Sequence, residues 1–246
     1  AGTGSETTNM CVISCVSLNK KDSVVSPVCV GEMAFLDAEL TLGLPAVPTA
    51  QTGIDAFAHV VESITGAQAN PLSDALCRDA IRTIYKWLPV AVADGKNIVA
   101  REKMMEASFF AGMAFTNALV HLGHSIGHTI GARFHVPHGQ ACAFCLPEVI
   151  EYTARTEKEK VIMICEAMGV NVPDDTPWEE VGAIAKKTIR DFCKSLGLKN
   201  LKEWGIALED LLPLAPVVTA DTGFALIPYR ITAARVAEMF KSAYDA

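Results

Sequence analysis

Five of the six histidines fall between His121 and His138, in the run HLGHSIGHTIGARFHVPHG, and the sixth, His59, lies in a second polar island, GIDAFAHVVE. Asp55 and His59 are four apart, so on a helix they share one face. His124 and His128 repeat that spacing, and His138 follows in a Pro137-His138-Gly139 turn. One carboxylate and three imidazoles (Asp55, His59, His124 and His138) converging from two segments form the donor set of a transition-metal site. They suit Zn²⁺ or Fe²⁺ and are too nitrogen-rich for Mg²⁺ or Ca²⁺. Four protein ligands leave positions open on an ion that takes five or six, where a substrate oxygen can be polarised by Lewis-acid action. Taken singly, each residue is an ordinary satisfied core polar group. Together, in two islands at ligand spacing, they read as a metal centre.

His128 sits one turn past His124 on the same face, near the ion without having to bind it. A neutral imidazole there is a candidate proton relay, or else a hydrogen-bonding support. Glu62, three residues beyond His59, could orient a ligand imidazole, although a solvated helix carboxylate is the common case. His121 and His135 meet no evident geometric demand and read as packing or surface residues. Cys142-x-x-Cys145 lies in an apolar run with no second cysteine pair, so it reads as core thiols. The opening Gly2-Thr3-Gly4-Ser5-Glu6 allows backbone N–H groups to approach an anion closely. Lys21, in a turn, could meet a phosphate or ribose; by default it is a solvated lysine.

The elements that must carry these residues are mostly helices. TNMCVISCVS and DSVVSPVCV read as strands joined by the polar turn 19–22, and GEMAFLD as another short strand. Pro45 and Pro48 then mark a boundary near residue 44, and Thr52 is a candidate N-cap. Beyond it the periodicity predicts helices over about 52–65, 71–87 (with Pro89 just past the end), 98–118 continuing through 119–134, 138–153, 157–169, 177–196, 207–214 and 231–244. The expected fold is mainly α: residues 45–246 form a helical metal-binding domain. Residues 1–44 are a few strands completing an otherwise absent α/β nucleotide-binding domain. The glycine-rich start without a Met reads as the interior of a longer protein.

Composition narrows the classes. The chain of 246 residues is half hydrophobic, enough for a full core, and its net charge of −7 lacks the basic face that nucleic-acid binding needs. That charge also disfavours an electrostatic membrane anchor, and no apolar run is long enough to span a bilayer. Eight cysteines at irregular spacing fit reduced thiols in a cytoplasmic protein better than a disulfide framework.

With these residues in view, the chain resembles the iron-containing (group III) alcohol dehydrogenase family. The resemblance rests on Gly2-Thr3-Gly4-Ser5-Glu6, Phe35-Leu36-Asp37-Ala38-Glu39-Leu40, Thr52-Gly53-Ile54-Asp55-Ala56-Phe57-Ala58-His59, Ala111-Gly112-Met113-Ala114-Phe115-Thr116-Asn117-Ala118, and His124 to Gly131 through Pro137-His138-Gly139. These pieces occur in the family's order and cover most of residues 1–150; beyond about residue 155 the likeness is helical pattern and length. The resemblance implies metal ligands at Asp55, His59, His124 and His138 and a near-metal histidine at His128. It implies cofactor contacts at Thr3, with Thr8 near it, and at Lys21, and a substrate-pocket aromatic at Phe115. It further implies Fe²⁺ or Zn²⁺, NAD or NADP, a small alcohol or aldehyde substrate, and a homo-oligomer. The family's Gly-Gly-Gly-Ser pyrophosphate loop is absent, so this C-terminal half alone is expected to bind nicotinamide poorly and to be inactive. The competing readings are a metal-dependent hydrolase on a helical His/Asp site and an inactive half-enzyme. Glycerol dehydrogenases and dehydroquinate synthases use related metal sites, but the His124/His128/His138 pattern is closer to the alcohol dehydrogenases.

Overall fold

A computed structural model describes residues 2–15, 17 and 20–246, with the side chains of residues 14, 20–22 and 222 outside the description. The chain is a helical body with one antiparallel hairpin near its start. A 3₁₀ turn at Ser5–Thr7 leads into β1 (Met10–Cys15), which pairs with β2 (Lys20–Val25) from Met10↔Val25 to Cys15↔Lys20. Lys20, Lys21 and Asp22 therefore belong to β2 rather than to the turn. GEMAFLD forms no strand; Pro27–Cys29 and Ala38–Thr41 are 3₁₀ turns on either side of it. No ladder partner is present for it among the described residues.

Helix α1 (Ala46–Thr65) is the axis. From Gly53 to Thr65 every residue is buried, and α2 (Pro71–Ala93), α3 (Ile98–Ala118), α4 (Leu122–Phe134), α5 (His138–Ala143), α6 (Leu146–Thr153) and α7 (Lys158–Ala167) all pack against it. Helix α1 begins six residues before Thr52, whose hydroxyl donates to the Pro48 carbonyl at 2.9 Å instead of capping. The start is anchored by buried Arg101, which donates to the Leu44 carbonyl and the Thr49 hydroxyl, each at 2.8 Å. Sequence periodicity cannot register such a long-range anchor.

Helix α2 has a full capping box at Asn70 and Ser73 and runs through Pro89 to Ala93. A proline inside a helix costs about 3 kcal/mol. Leu88 and Ala91 around it are fully buried, and burying a leucine alone returns roughly 1.5–3 kcal/mol. Leu88 sits where a β-carbon on Gly53 would be, at 2.3 Å, so a side chain at 53 would lift α2 from α1.

The expected continuous helix 98–134 is two helices. Leu119 takes φ 60°, a strained conformation for a non-glycine residue. It is held there by the Ser63 hydroxyl on its carbonyl at 3.0 Å and by its own N–H on the Phe115 carbonyl at 2.7 Å. The expected helix 138–153 is also two, because Pro147 in the first turn of α6 has no N–H to continue the ladder. Helix α8 (Trp178–Ser195) packs on α6 and α7. Short turns α9 (Leu208–Leu211) and α10 (Ala215–Val218), a 3₁₀ turn at Thr222–Leu226 and α11 (Ala233–Ala243) close the chain. Among the described residues no helix is long and apolar enough to cross a membrane.

Candidate metal centre and its pocket

One face of α1 carries Asp55, His59 and Glu62, all buried. Against it α4 presents His124 and His128, and α5 presents His138 from its first residue. The Asp55 carboxylate is the hub. His59 Nε2 lies 3.9 Å from Oδ2, while His124 Nε2 and His138 Nε2 lie 3.8 and 3.6 Å from Oδ1. Asp55 Oδ1 and His124 Nε2 are buried with no hydrogen-bond partner. Buried polar atoms are nearly always satisfied, so two orphaned donors of electron pairs facing each other fit a site that takes a cation. The ring of His59 stacks between Phe115 (centroids 5.0 Å) and His124 (4.8 Å).

Three of the imidazoles have their other nitrogen held. His59 Nδ1 is 3.0 Å from the Thr3 carbonyl, His124 Nδ1 is 2.8 Å from Glu62 Oε1, and His128 Nδ1 is 3.1 Å from Asp221 Oδ2. A carbonyl or an ionised carboxylate only accepts, so each Nδ1 carries the proton and donates it. In the neutral form of such a ring Nε2 has the free lone pair, the tautomer a metal ligand or a base requires.

Glu62 does more than orient one ring. Its Oε2 accepts the backbone N–H of His121 at 2.8 Å and of Gly123 at 3.0 Å, groups that a helix start leaves without partners. The kink at Leu119 creates that helix start. A β-carbon on Gly123 would lie 2.4 Å from Glu62 Oε1, so glycine is what admits the carboxylate. Similarly, a β-carbon on Gly139 would lie 1.8 Å from the Gln51 carbonyl oxygen; its absence lets α5 bring His138 to α1.

Charge follows the geometry. Burial pushes the Asp55 carboxyl up, but the imidazoles of His138, His59, His124 and His128 together outweigh it and hold the group below its ordinary value. Burial, with His59 beside it, drives His124 well below an ordinary histidine, so the ring is neutral. Burial also raises Asp221, yet the hydrogen bond and charge of His128 bring it below the usual carboxylate range. Burial raises Glu62, opposed chiefly by His121 and the α4 N–H groups.

A cavity of about 310 Å³ opens over this cluster, lined by Asp55, His59, His124, His128 and His138. Thr3, Thr8 and Phe115 share its wall, with Met10, Val12 and Val120 as apolar lining. All the candidate residues except Lys21 therefore meet in one place; the Lys21 side chain lies outside the described residues. The glycine-rich start folds on the protein itself. Gly4, at φ 83°, packs against Gly112 of α3, where a β-carbon would meet its carbonyl at 2.1 Å. A larger cleft of about 480 Å³ elsewhere, between Asp37, Glu39, Glu102 and Glu106, has no imidazole in its wall.

Sequence reasoning missed Asp221. It holds both His128 and, through Oδ1, the Ser125 hydroxyl at 3.0 Å, but it lies in an isolated ADTG with no spacing signal. The partner of Glu62 proves to be His124 rather than its own-helix neighbour His59. His121 is fully buried against Thr65, and His135 is exposed at the end of α4. Cys142, in α5, lies beside His138.

Comparison with known proteins gives concordant relatives. The family described as Fe-containing alcohol dehydrogenase, C-terminal, matches residues 49–244. Sulfoacetaldehyde reductase of Bilophila wadsworthia is 37% identical over 92% of this chain and 57% of its own length. The 1,3-propanediol dehydrogenase of Citrobacter freundii is 36% identical over 99% of this chain and 63% of its own. The structure of an alcohol dehydrogenase from Oenococcus oeni superposes with a TM-score of 0.93 at 34% identity, covering 99% of this chain and 63% of that one. The chain thus spans somewhat over half the length of the curated relatives it matches. The match reaches Ser242 and beyond, into the region where motifs had faded to helical pattern, and the chain belongs to the iron-containing alcohol dehydrogenase family as its C-terminal, helical part.

Proposed function

We propose that the protein carrying this chain interconverts a small alcohol and its aldehyde with NAD or NADP, using a metal held by Asp55, His59, His124 and His138. The observation that carries this reading is the cluster itself: the Nε2 atoms of three rings gather on the orphaned Asp55 carboxylate at the floor of a cavity. When bound, an Fe²⁺ or Zn²⁺ ion supplies Lewis-acid polarisation of the alcohol oxygen and the nicotinamide supplies the hydride acceptor.

The chain's own groups do the rest. His128, anchored at Nδ1 by Asp221, accepts the hydroxyl proton at Nε2, and Asp221 steadies the imidazolium so formed. In aldehyde reduction the same ring returns the proton. Phe115, Val120 and Val12 give the pocket an apolar wall, which favours a compact, largely apolar substrate. Thr3 fixes His59 through its carbonyl, and Thr3 and Thr8 line the side from which a cofactor would approach. Lys21 is proposed to meet the cofactor ribose, residues 1–44 to complete a nucleotide-binding domain, and the protein to act as a cytoplasmic homo-oligomer.

Elemental mass spectrometry of the purified chain tests the core of this reading, with Asp55→Ala and His138→Ala in parallel. About one equivalent of iron or zinc, lost in both variants, is the expected result. A folded wild-type chain that takes up neither metal, even after anaerobic Fe²⁺ or Zn²⁺ addition, overturns it.

A further inference from the structure

The thiol of Cys142 is placed as no ordinary core cysteine is. It lies one helical turn after His138 on the same face of α5, and Sγ is 3.8 Å from each ring nitrogen of His138. Sγ, one carboxylate oxygen of Asp55 and one ring nitrogen each of His124 and His138 all lie within 4.8 Å of one another. His59 is not in that mutual set; it reaches Asp55 from the other carboxylate oxygen. Cys142 is fully buried and is not part of the cavity wall, so its sulfur faces the cluster from the protein side. Its position is built in. Gly127 of α4 packs directly on it, and a β-carbon there would lie 2.6 Å from Sγ and 3.1 Å from the Cys142 nitrogen. A second observation is that two buried atoms of residues in this set, Asp55 Oδ1 and His124 Nε2, have no hydrogen-bond partner.

We propose that Cys142 is a sulfur ligand of this metal centre, added to Asp55, His59, His124 and His138 and biasing the site towards thiophilic ions, Zn²⁺ above Fe²⁺. The inference rests on the metal-centre reading above and adds to it a ligand of different softness. Thiolate donors select zinc, while a carboxylate and imidazoles serve either ion. On binding, the sulfur gives its proton to water and its electron pair to the ion. Cys142 would hold the ion from the side away from the cavity lining.

Cobalt substitution tests it without any activity assay. The chain is stripped with a chelator and titrated with Co²⁺, and its absorption spectrum is recorded. A thiolate-to-cobalt charge-transfer band in the near ultraviolet, alongside the visible ligand-field bands, is expected. Cys142→Ser should lose the charge-transfer band and keep the ligand-field bands, whereas Cys145→Ser should keep both. Zn²⁺ affinity should fall in Cys142→Ser by about 100-fold, the upper end of the cost of losing a supporting group at a metal site, and the zinc-to-iron ratio should fall with it. X-ray absorption of the zinc-loaded wild type, which needs no variant, should resolve one sulfur at about 2.3 Å beyond nitrogen and oxygen at about 2.0–2.2 Å. Ligand-field bands with no charge-transfer band, and a zinc shell without sulfur, would overturn the Cys142 proposal and leave the metal centre standing. Failure to bind Co²⁺ or Zn²⁺ at all would overturn both.

Discussion

Glu62 and His124 are bound to each other twice over: Oε1 takes the ring proton at 2.8 Å, and Oε2 sits among the N–H groups of the turn on which His124 stands. One carboxylate from α1 thereby sets both the rotation of the imidazole and the position of its helix.

Removing the charge while keeping the shape separates these roles. Glu62→Gln should fold, because an amide oxygen can still accept from the α4 turn. Metal affinity should drop about 10–100-fold, the usual cost of disturbing a group that orients a ligand. Competition against a chelator of known affinity measures it; an unchanged affinity would detach Glu62 from the metal centre.

Asp221 fixes the tautomer of His128 through one hydrogen bond. Asp221→Asn can donate to His128 Nδ1, which moves the ring proton to Nε2 and leaves no base facing the cavity. In the proposed whole dehydrogenase, kcat should fall about 10²–10⁴-fold, the range for loss of a general base, with metal content unchanged. His128→Ala should fall into the same range. Full activity in Asp221→Asn would remove His128 from the proton path.

Close packing at Gly139 is testable by a single methyl group. Gly139→Ala forces a carbon onto the Gln51 carbonyl, and overpacking of this kind costs roughly 1–3 kcal/mol. The strain should also draw His138 off Asp55. Denaturant unfolding should show the loss of stability, and bound metal should fall below one equivalent. A variant as stable and as metal-rich as the wild type would mean that α5 has room to shift.

Buried thiols set the alkaline limit. Burial raises Cys165 from 9.0 to about 11 and Cys193 to about 12. Their neutral forms are favoured by the fold, so the stability they contribute is complete below about pH 9 and is lost as the pH rises towards about 11. Each thiol costs about 1.4 kcal/mol for every unit of pH in that window. Cys165→Ala should lower the unfolding midpoint near neutrality through its cavity, yet show a shallower decline above about pH 9. Parallel declines in the two proteins would contradict the assignment.

What could be read in the sequence was local. Asp55 and His59, and His124 and His128, advertise themselves by one-turn spacing, and the helices that carry them follow from apolar periodicity. Nothing local marks Leu119, because no glycine or proline signals a kink that a hydroxyl of α1 and the needs of Glu62 impose from outside. Asp221 reaches His128 across 93 residues of chain, a distance over which spacing has no meaning. Cys142 was legible only as one half of a cysteine pair, because its relation to Asp55 and His124 exists only once α5 is folded back on α1. Thr52 and Pro89 misled for the same reason: a capping residue and a helix breaker state local preferences that Arg101 and Leu88 overrule through tertiary contacts.

The two sides of the cavity differ in how firmly they are held. Asp55, His59 and Glu62 ride on α1, which is enclosed by six other helices; its amides should exchange with solvent hydrogen only when the whole molecule unfolds. Met10 and Val12 ride on a two-stranded ribbon whose Val12, Ile13, Val24 and Val25 are well exposed, and such a ribbon is barely stable by itself. Its amides should exchange through small, frequent openings. The floor proposed to hold the ion would then outlast the opposite wall, and each opening of the ribbon would admit or release small molecules while leaving the candidate donor atoms in place.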